Sequence, residues 1–190
     1  MPPSSSATGP IPRVFPWLLL IGGVAGTLAA GVLTVEKFAV LRDPSYVPSC
    51  SINPVLSCGT VMTKPQAEAF GFPNPLLGIA GFAMVAVIGA ALLAGAAFRR
   101  WFWLGLQAGV TFGVVFVHWL IFQSLYRIGA LCPYCMVVWA VTIPLFWYVT
   151  LHNFNLRAMS RYHGVVLTVW FVLLLTLIGE QFWSYWRTLL

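Results

Sequence analysis

Five apolar runs, each close to the length of a bilayer crossing, constrain this chain more than any other feature. They cover about Val14–Val35, Pro75–Phe98, Trp101–Leu125, Cys135–Leu151 and Gly164–Trp183. About 20 apolar residues carry a helix across the hydrocarbon core. In lipid a backbone must satisfy its own hydrogen bonds, and a helix does so within one segment. Only 7% of the residues are charged, against about 25% in soluble domains. The expected class is therefore an all-α integral membrane protein: a four-helix transmembrane bundle plus a fifth transmembrane helix. Gly22, Gly23, Gly26 and Gly31 in the first run suit close helix approach. Pro144 should kink the fourth run. The net charge of +6 comes from basic residues scattered at the ends of apolar runs, so a nucleic-acid partner is not expected.

The segments between the runs set the domain layout. Residues 1–13 are rich in Pro, Ser and Gly and should form a disordered tail; the long apolar run behind them is unlike a cleavable signal. Residues 36–73 form a long polar loop, the kind that usually carries function, with a short surface helix expected near Lys64–Phe70. Residues 152–163 are a polar, basic connection, and 164–190 hold the fifth helix and a short end. Five crossings put 36–73 and the 126–135 turn on one side of the membrane. Basic residues divide evenly: Arg13, Arg99, Arg100, Arg157 and Arg161 against Lys37, Arg42, Lys64, Arg127 and Arg187. All four acidic residues, Glu36, Asp43, Glu68 and Glu180, fall on the second side. This favours a cytoplasmic N-terminus.

Four cysteines carry the chemistry. Cys132-Pro-Tyr-Cys135 stands where the fourth run begins, so the second cysteine is expected at a helix N-terminus. Unpaired N–H groups and the positive dipole end favour the thiolate there. That is the form thiol–disulfide exchange requires. Cys50 and Cys58 lie in the long loop, on the same face. Alone they would read as a staple; beside a Cys-x-x-Cys they read as a relay pair. Met136 rather than a histidine follows Cys135, which argues against haem attachment. The seven-residue spacer between Cys50 and Cys58 is a poor zinc spacing, and no metal is expected. Paired cysteines persist as disulfides in oxidising compartments, which places both pairs outside the cytoplasm. The competing reading is a non-enzymatic membrane scaffold or binding protein with structural disulfides. Among other polar groups in the runs, His118 and Gln123 are candidate ligand contacts, and Glu180 is expected at the interface.

Cys50-x₇-Cys58 after the first run, followed by Cys132-x-x-Cys135 at the start of the fourth, resembles the vitamin K epoxide reductase (VKOR) family over roughly residues 14–151. Arg42-Asp43-x-x-Tyr46 and Asn74-x-x-x-Gly78 support the resemblance. It implies a quinone-dependent thiol–disulfide oxidoreductase of the bacterial inner membrane. Electrons would pass from a thioredoxin-like (DsbA-like) partner through Cys50 and Cys58 to Cys132 and Cys135, then to menaquinone or ubiquinone, a vitamin K-like acceptor. In the family the asparagine bonds a quinone carbonyl, so Asn74 is the lead cofactor contact, with Trp139, Met62 and Leu77 as further candidates. Trp139 stands where animal members have a tyrosine, which removes a hydroxyl contact. Thr60 and Thr63 are the nearest matches to a Ser/Thr after the second loop cysteine; the simple offset falls on Lys64. Which loop cysteine bridges to Cys132 stays open at this level.

Overall fold

The computed structural model describes residues 14–154 and 161–187. Its main elements are helices: α1 (Val14–Arg42), α2 (Cys58–Met62), a 3-10 turn (Pro65–Glu68), α3 (Asn74–Leu93), α4 (Arg100–Phe122), α5 (Pro133–Phe154), α6 (His163–Gln181) and α7 (Trp183–Trp186). Five helical stretches are long and apolar enough to cross a membrane, and the described residues contain no strand. The protein is a multi-pass, all-α membrane protein. Its outer surface agrees: Val14, Ile21, Leu28 and Val35, seven residues apart on α1, are all exposed, as a lipid-facing stripe should be. The expected tail 1–13 and most of the 152–163 connection lie outside the described residues.

The first helix runs beyond its expected end at Val35. Glu36 and Lys37 end the apolar run but not the helix, because both are buried and both find partners in the loop that follows. At about 1.5 Å per residue, the 29 residues of α1 make it longer than the hydrocarbon core. The second crossing, by contrast, stops at Leu93 rather than Phe98. Gly95 adopts φ +88°, a left-handed conformation that ends a helix. Phe98 turns back to stack on Phe102, with ring centroids 4.2 Å apart.

Small residues bring α1 and α3 together. A Cβ at Gly23 would collide with the Ala86 backbone, and one at Gly89 with the Leu20 backbone. Gly26 receives the Phe82 ring, Gly22 faces Leu145 of α5, and Gly31 faces open space. Three of the four expected glycines thus serve packing. At its upper end α4 continues as a π-helical stretch, Gln123–Ile128. Gly129, at φ +71°, closes it and turns the chain toward α5. Four helices, α1, α3, α4 and α5, form the bundle. The fifth, α6, buries none of its residues. It is held by Trp170 Nε1 donating to His118 Nε2 of α4 at 3.0 Å, and by buried Phe182 just past its end.

Candidate functional site

The loop after α1 folds back over the bundle on short-range polar contacts. Asn53 Oδ1 accepts from Val55 N at 3.0 Å and Leu56 N at 2.7 Å, closing a tight Asx turn. The next residues pair with the segment before α5. Leu131 N donates to Val55 O at 2.7 Å and Ser57 N to Leu131 O at 2.8 Å, making an isolated parallel bridge between Leu56 and Leu131. The Ser57 side chain caps α2 by accepting from Thr60 N, and Cys58 is the first residue of that helix. The bridge therefore sets Cys58 beside Cys132 through backbone bonds alone.

Cys50 and Cys58 form a disulfide. Cys132 and Cys135 are free thiols. Cys58 Sγ lies 3.0 Å from Cys132 Sγ. Cys58 and Cys132 are fully buried and Cys50 is 5% exposed, so the three sulfurs are sealed from solvent. They lie within 4.8 Å of one another, but with two of them bonded together only Cys132 has a thiolate to offer a metal. The geometry resolves the question left open by sequence: Cys58, not Cys50, faces Cys132.

The structure moves the expected helix entrance by one cysteine. Helix α5 begins at Pro133, and Met136 N donates to Cys132 O at 3.0 Å, so Cys132 holds the N-cap position and Cys135 is the third helical residue. Pro133 suits the first position because no partner exists there for an N–H. The Cys132 thiol is held below its ordinary pKa, first by the hydrogen bond from the Cys135 thiol and then by the backbone N–H groups of Cys135 and Tyr134, against the opposing effect of burial. These bonds favour the thiolate at Cys132, the form that attacks a disulfide.

Below the cysteines the bundle holds a partly open cavity of about 440 Å³, within the range of small-molecule sites. Met62, Asn74, Leu77, Cys135 and Trp139 all line it, so the sequence-chosen contacts converge with one redox thiol. Gln123 joins them. His118 does not: its Nδ1 pairs with Val114 O and its Nε2 accepts from Trp170. Glu180 is exposed on α6.

Asn74 is the first residue of α3, behind an N-cap at Pro73 that makes no side-chain cap. It is thus not a helix cap. Instead Nδ2 donates to Gln66 O at 2.7 Å and Oδ1 accepts from Ala69 N at 3.0 Å, tying the 3-10 turn down as a roof over the cavity. That turn is shorter than the expected helix at Lys64–Phe70.

Sequence reasoning missed two groups. Gln66 borders the cavity and its Oε1 is buried without a hydrogen-bond partner; nothing in a Lys-Pro-Gln stretch distinguishes it. Lys37 holds the roof from below, donating from Nζ to Met62 O at 2.7 Å and pairing with Glu68 at 2.9 Å. A charged pair at the end of an apolar run was its only signal. An apolar chamber with an amide at its roof and an orphaned acceptor suits an apolar ligand that carries a hydrogen-bond donor.

No curated protein matches the chain. The sequence model of the Vitamin K epoxide reductase family matches residues 17–150, which takes in both cysteine pairs and nearly all of the four bundle helices. A disulfide in the loop between two membrane spans, set against a free Cys-x-x-Cys, is the redox arrangement that such a match implies, and the chain belongs to the vitamin K epoxide reductase family, as a membrane oxidoreductase.

Proposed function

We propose that the protein oxidises a thioredoxin-like (DsbA-like) protein outside the cytoplasm and delivers the electrons to a membrane quinone, driving disulfide formation in exported proteins. The observation that carries this is the chain of contacts from the Cys50–Cys58 disulfide, through 3.0 Å to Cys132, to Cys135 on the cavity wall. Residues 14–151 are the catalytic domain in this reading, with an N-terminus in the cytoplasm of a bacterial inner membrane and both cysteine pairs outside.

Each step is an exchange of one S–S bond for another. A partner thiolate attacks Cys50 Sγ, and Cys58 leaves as a thiolate. The partner's second thiol then closes its own disulfide and releases Cys50. Cys58 attacks Cys132 of an oxidised Cys132–Cys135 pair, and Cys135 leaves as a thiolate. Cys50 attacks Cys58, restoring the relay disulfide and freeing Cys132. Two electrons and two protons have then moved from the partner to Cys132 and Cys135, which is the state the structure holds. A quinone held in the cavity would supply the two-electron, two-proton acceptor that Cys132 and Cys135 need. Asn74, Trp139, Met62 and Leu77 shape its place, with no hydroxyl at position 139. A static staple would need no free thiol pair beside it.

The test uses purified protein, a dithiol-reduced thioredoxin-like partner and a soluble quinone. Cys135→Ala is expected to abolish quinone reduction while Cys58 still forms a trappable bond to Cys132. Retention of more than a small fraction of the rate would sink the assignment.

A further inference from the structure

Building on that relay reading, we infer that Glu36 is a positioning residue: its carboxylate latches the Cys50 arm of the loop and decides when Cys50 becomes available to a protein thiol. The two arms of the relay disulfide are held unequally. The Cys58 arm is fixed by the Leu56–Leu131 bridge and, at the far end of α2, by Lys37 donating to Met62 O at 2.7 Å. The Cys50 arm is residues 44–50. Among the described residues, the hydrogen bonds that join residues 44–50 to the helices end on Glu36; past Cys50, Ser51 Oγ accepts from Gly59 N of α2 at 3.2 Å. Glu36 Oε1 accepts from Ser49 Oγ at 2.5 Å and from Ser49 N at 3.4 Å. The Tyr46 phenol stands against the same carboxylate, which raises its pKa.

Glu36 is only 7% exposed. A charge kept out of water needs partners that stay in place, and here those partners are the residues around Cys50. Ser49 is the immediate neighbour of Cys50. Pro48 is buried and lies across Gly59, beside Cys58. The closed arm thus covers the sulfurs, and Cys50 itself is 5% exposed. A protein thiol cannot reach a sulfur in this state, so an arm has to lift. The arm with backbone bonds to α5's approach stays; residues 44–50, tied to α1 through one carboxylate, move about the Ser51–Gly59 contact. This arrangement keeps Cys58 against Cys132 throughout the cycle while Cys50 alternates between partner and Cys58.

The experiment measures cysteine accessibility in full-length protein in membranes. The protein is reduced with a small dithiol and alkylated with a maleimide, and each cysteine's rate is read by mass spectrometry. Ser49→Ala and Glu36→Ala should raise the Cys50 rate about tenfold to a hundredfold, as expected for losing a hydrogen bond to a charged group, and leave Cys58 and Cys132 within about twofold. Glu36→Gln keeps an acceptor for Ser49 Oγ and should give a smaller rise. Ser49 is exposed, so Ser49→Ala leaves the helices intact even if Glu36→Ala fails to fold. An unchanged Cys50 rate in Ser49→Ala, or a parallel rise at all the cysteines, overturns the latch. The same preparations are assayed with quinone. Absence of turnover in the unsubstituted protein retires the relay reading, whereas the alkylation rates judge the latch.

Discussion

At the scale of single residues, burial decides the chemistry. Asn74 shows how a side chain can serve a site without being free. Both ends of its amide are engaged by the roof, at Gln66 O and Ala69 N. An amide N–H₂ has a second hydrogen, so Asn74 can hold the roof and still face the cavity. Asn74→Asp keeps the acceptor for Ala69 N but replaces the donor with a charge against Gln66 O. The bond to Gln66 O is half-buried, and leaving such a group unpaired costs up to about 1–3 kcal/mol. Asn74→Asp should therefore lower thermal stability and slow quinone reduction by about tenfold or more, at about 1.4 kcal/mol per tenfold. A variant with normal melting and normal turnover would remove Asn74 from both roles.

At the scale of elements, the α1–α3 seam carries the bundle. Backbones approach where neither helix can carry a side chain, at Gly23 and Gly89. In lipid, such contacts are gained from packing rather than from water exclusion. Gly23→Val should then push α3 away and collapse the chamber, with loss of the folded protein in detergent thermal scans. Gly31→Val, in the same helix but facing open space, should melt close to the unsubstituted protein. Equal effects at the two positions would show that helix propensity rather than the seam is responsible. The π-helical stretch Gln123–Ile128 belongs to the same scale. It widens the end of α4 where Gln123, Ser124 and Ile128 meet the cavity.

At the scale of the whole molecule, five crossings put the long loop and the start of α5 at the same end of the bundle. The two cysteine pairs meet there. Glu36 and Lys37, adjacent on α1, hold the two halves of that loop. If this end lies outside the cytoplasm, a membrane-impermeant thiol reagent should label the relay cysteines in intact cells once a permeant dithiol has reduced them. Cys50 should label ahead of Cys58, which is fully buried. Labelling only after the membrane is broken would reverse the orientation. The fifth helix contributes little packing along its length, but Phe182 shares one apolar cluster with Val55, Leu131 and Trp139, so it reaches the bridge behind the redox pair.

The crossings, the four cysteines and their common side were legible in the sequence because hydropathy over about 20 residues and residue chemistry are local properties. Met62, Leu77, Asn74 and Trp139, expected as quinone contacts, line one chamber. The helix limits were less legible, since Glu36 and Lys37 look like a span's polar end until the loop that pairs with them is in place. The choice of Cys58 over Cys50 was not legible at all. It depends on backbone bonds between residues 55–57 and Leu131, more than seventy residues apart in sequence, and pairings at that separation leave no local pattern. Gln66 and the Glu36 latch belong with it. A polar side chain acquires its partner only when distant segments meet, and tertiary structure alone makes that meeting.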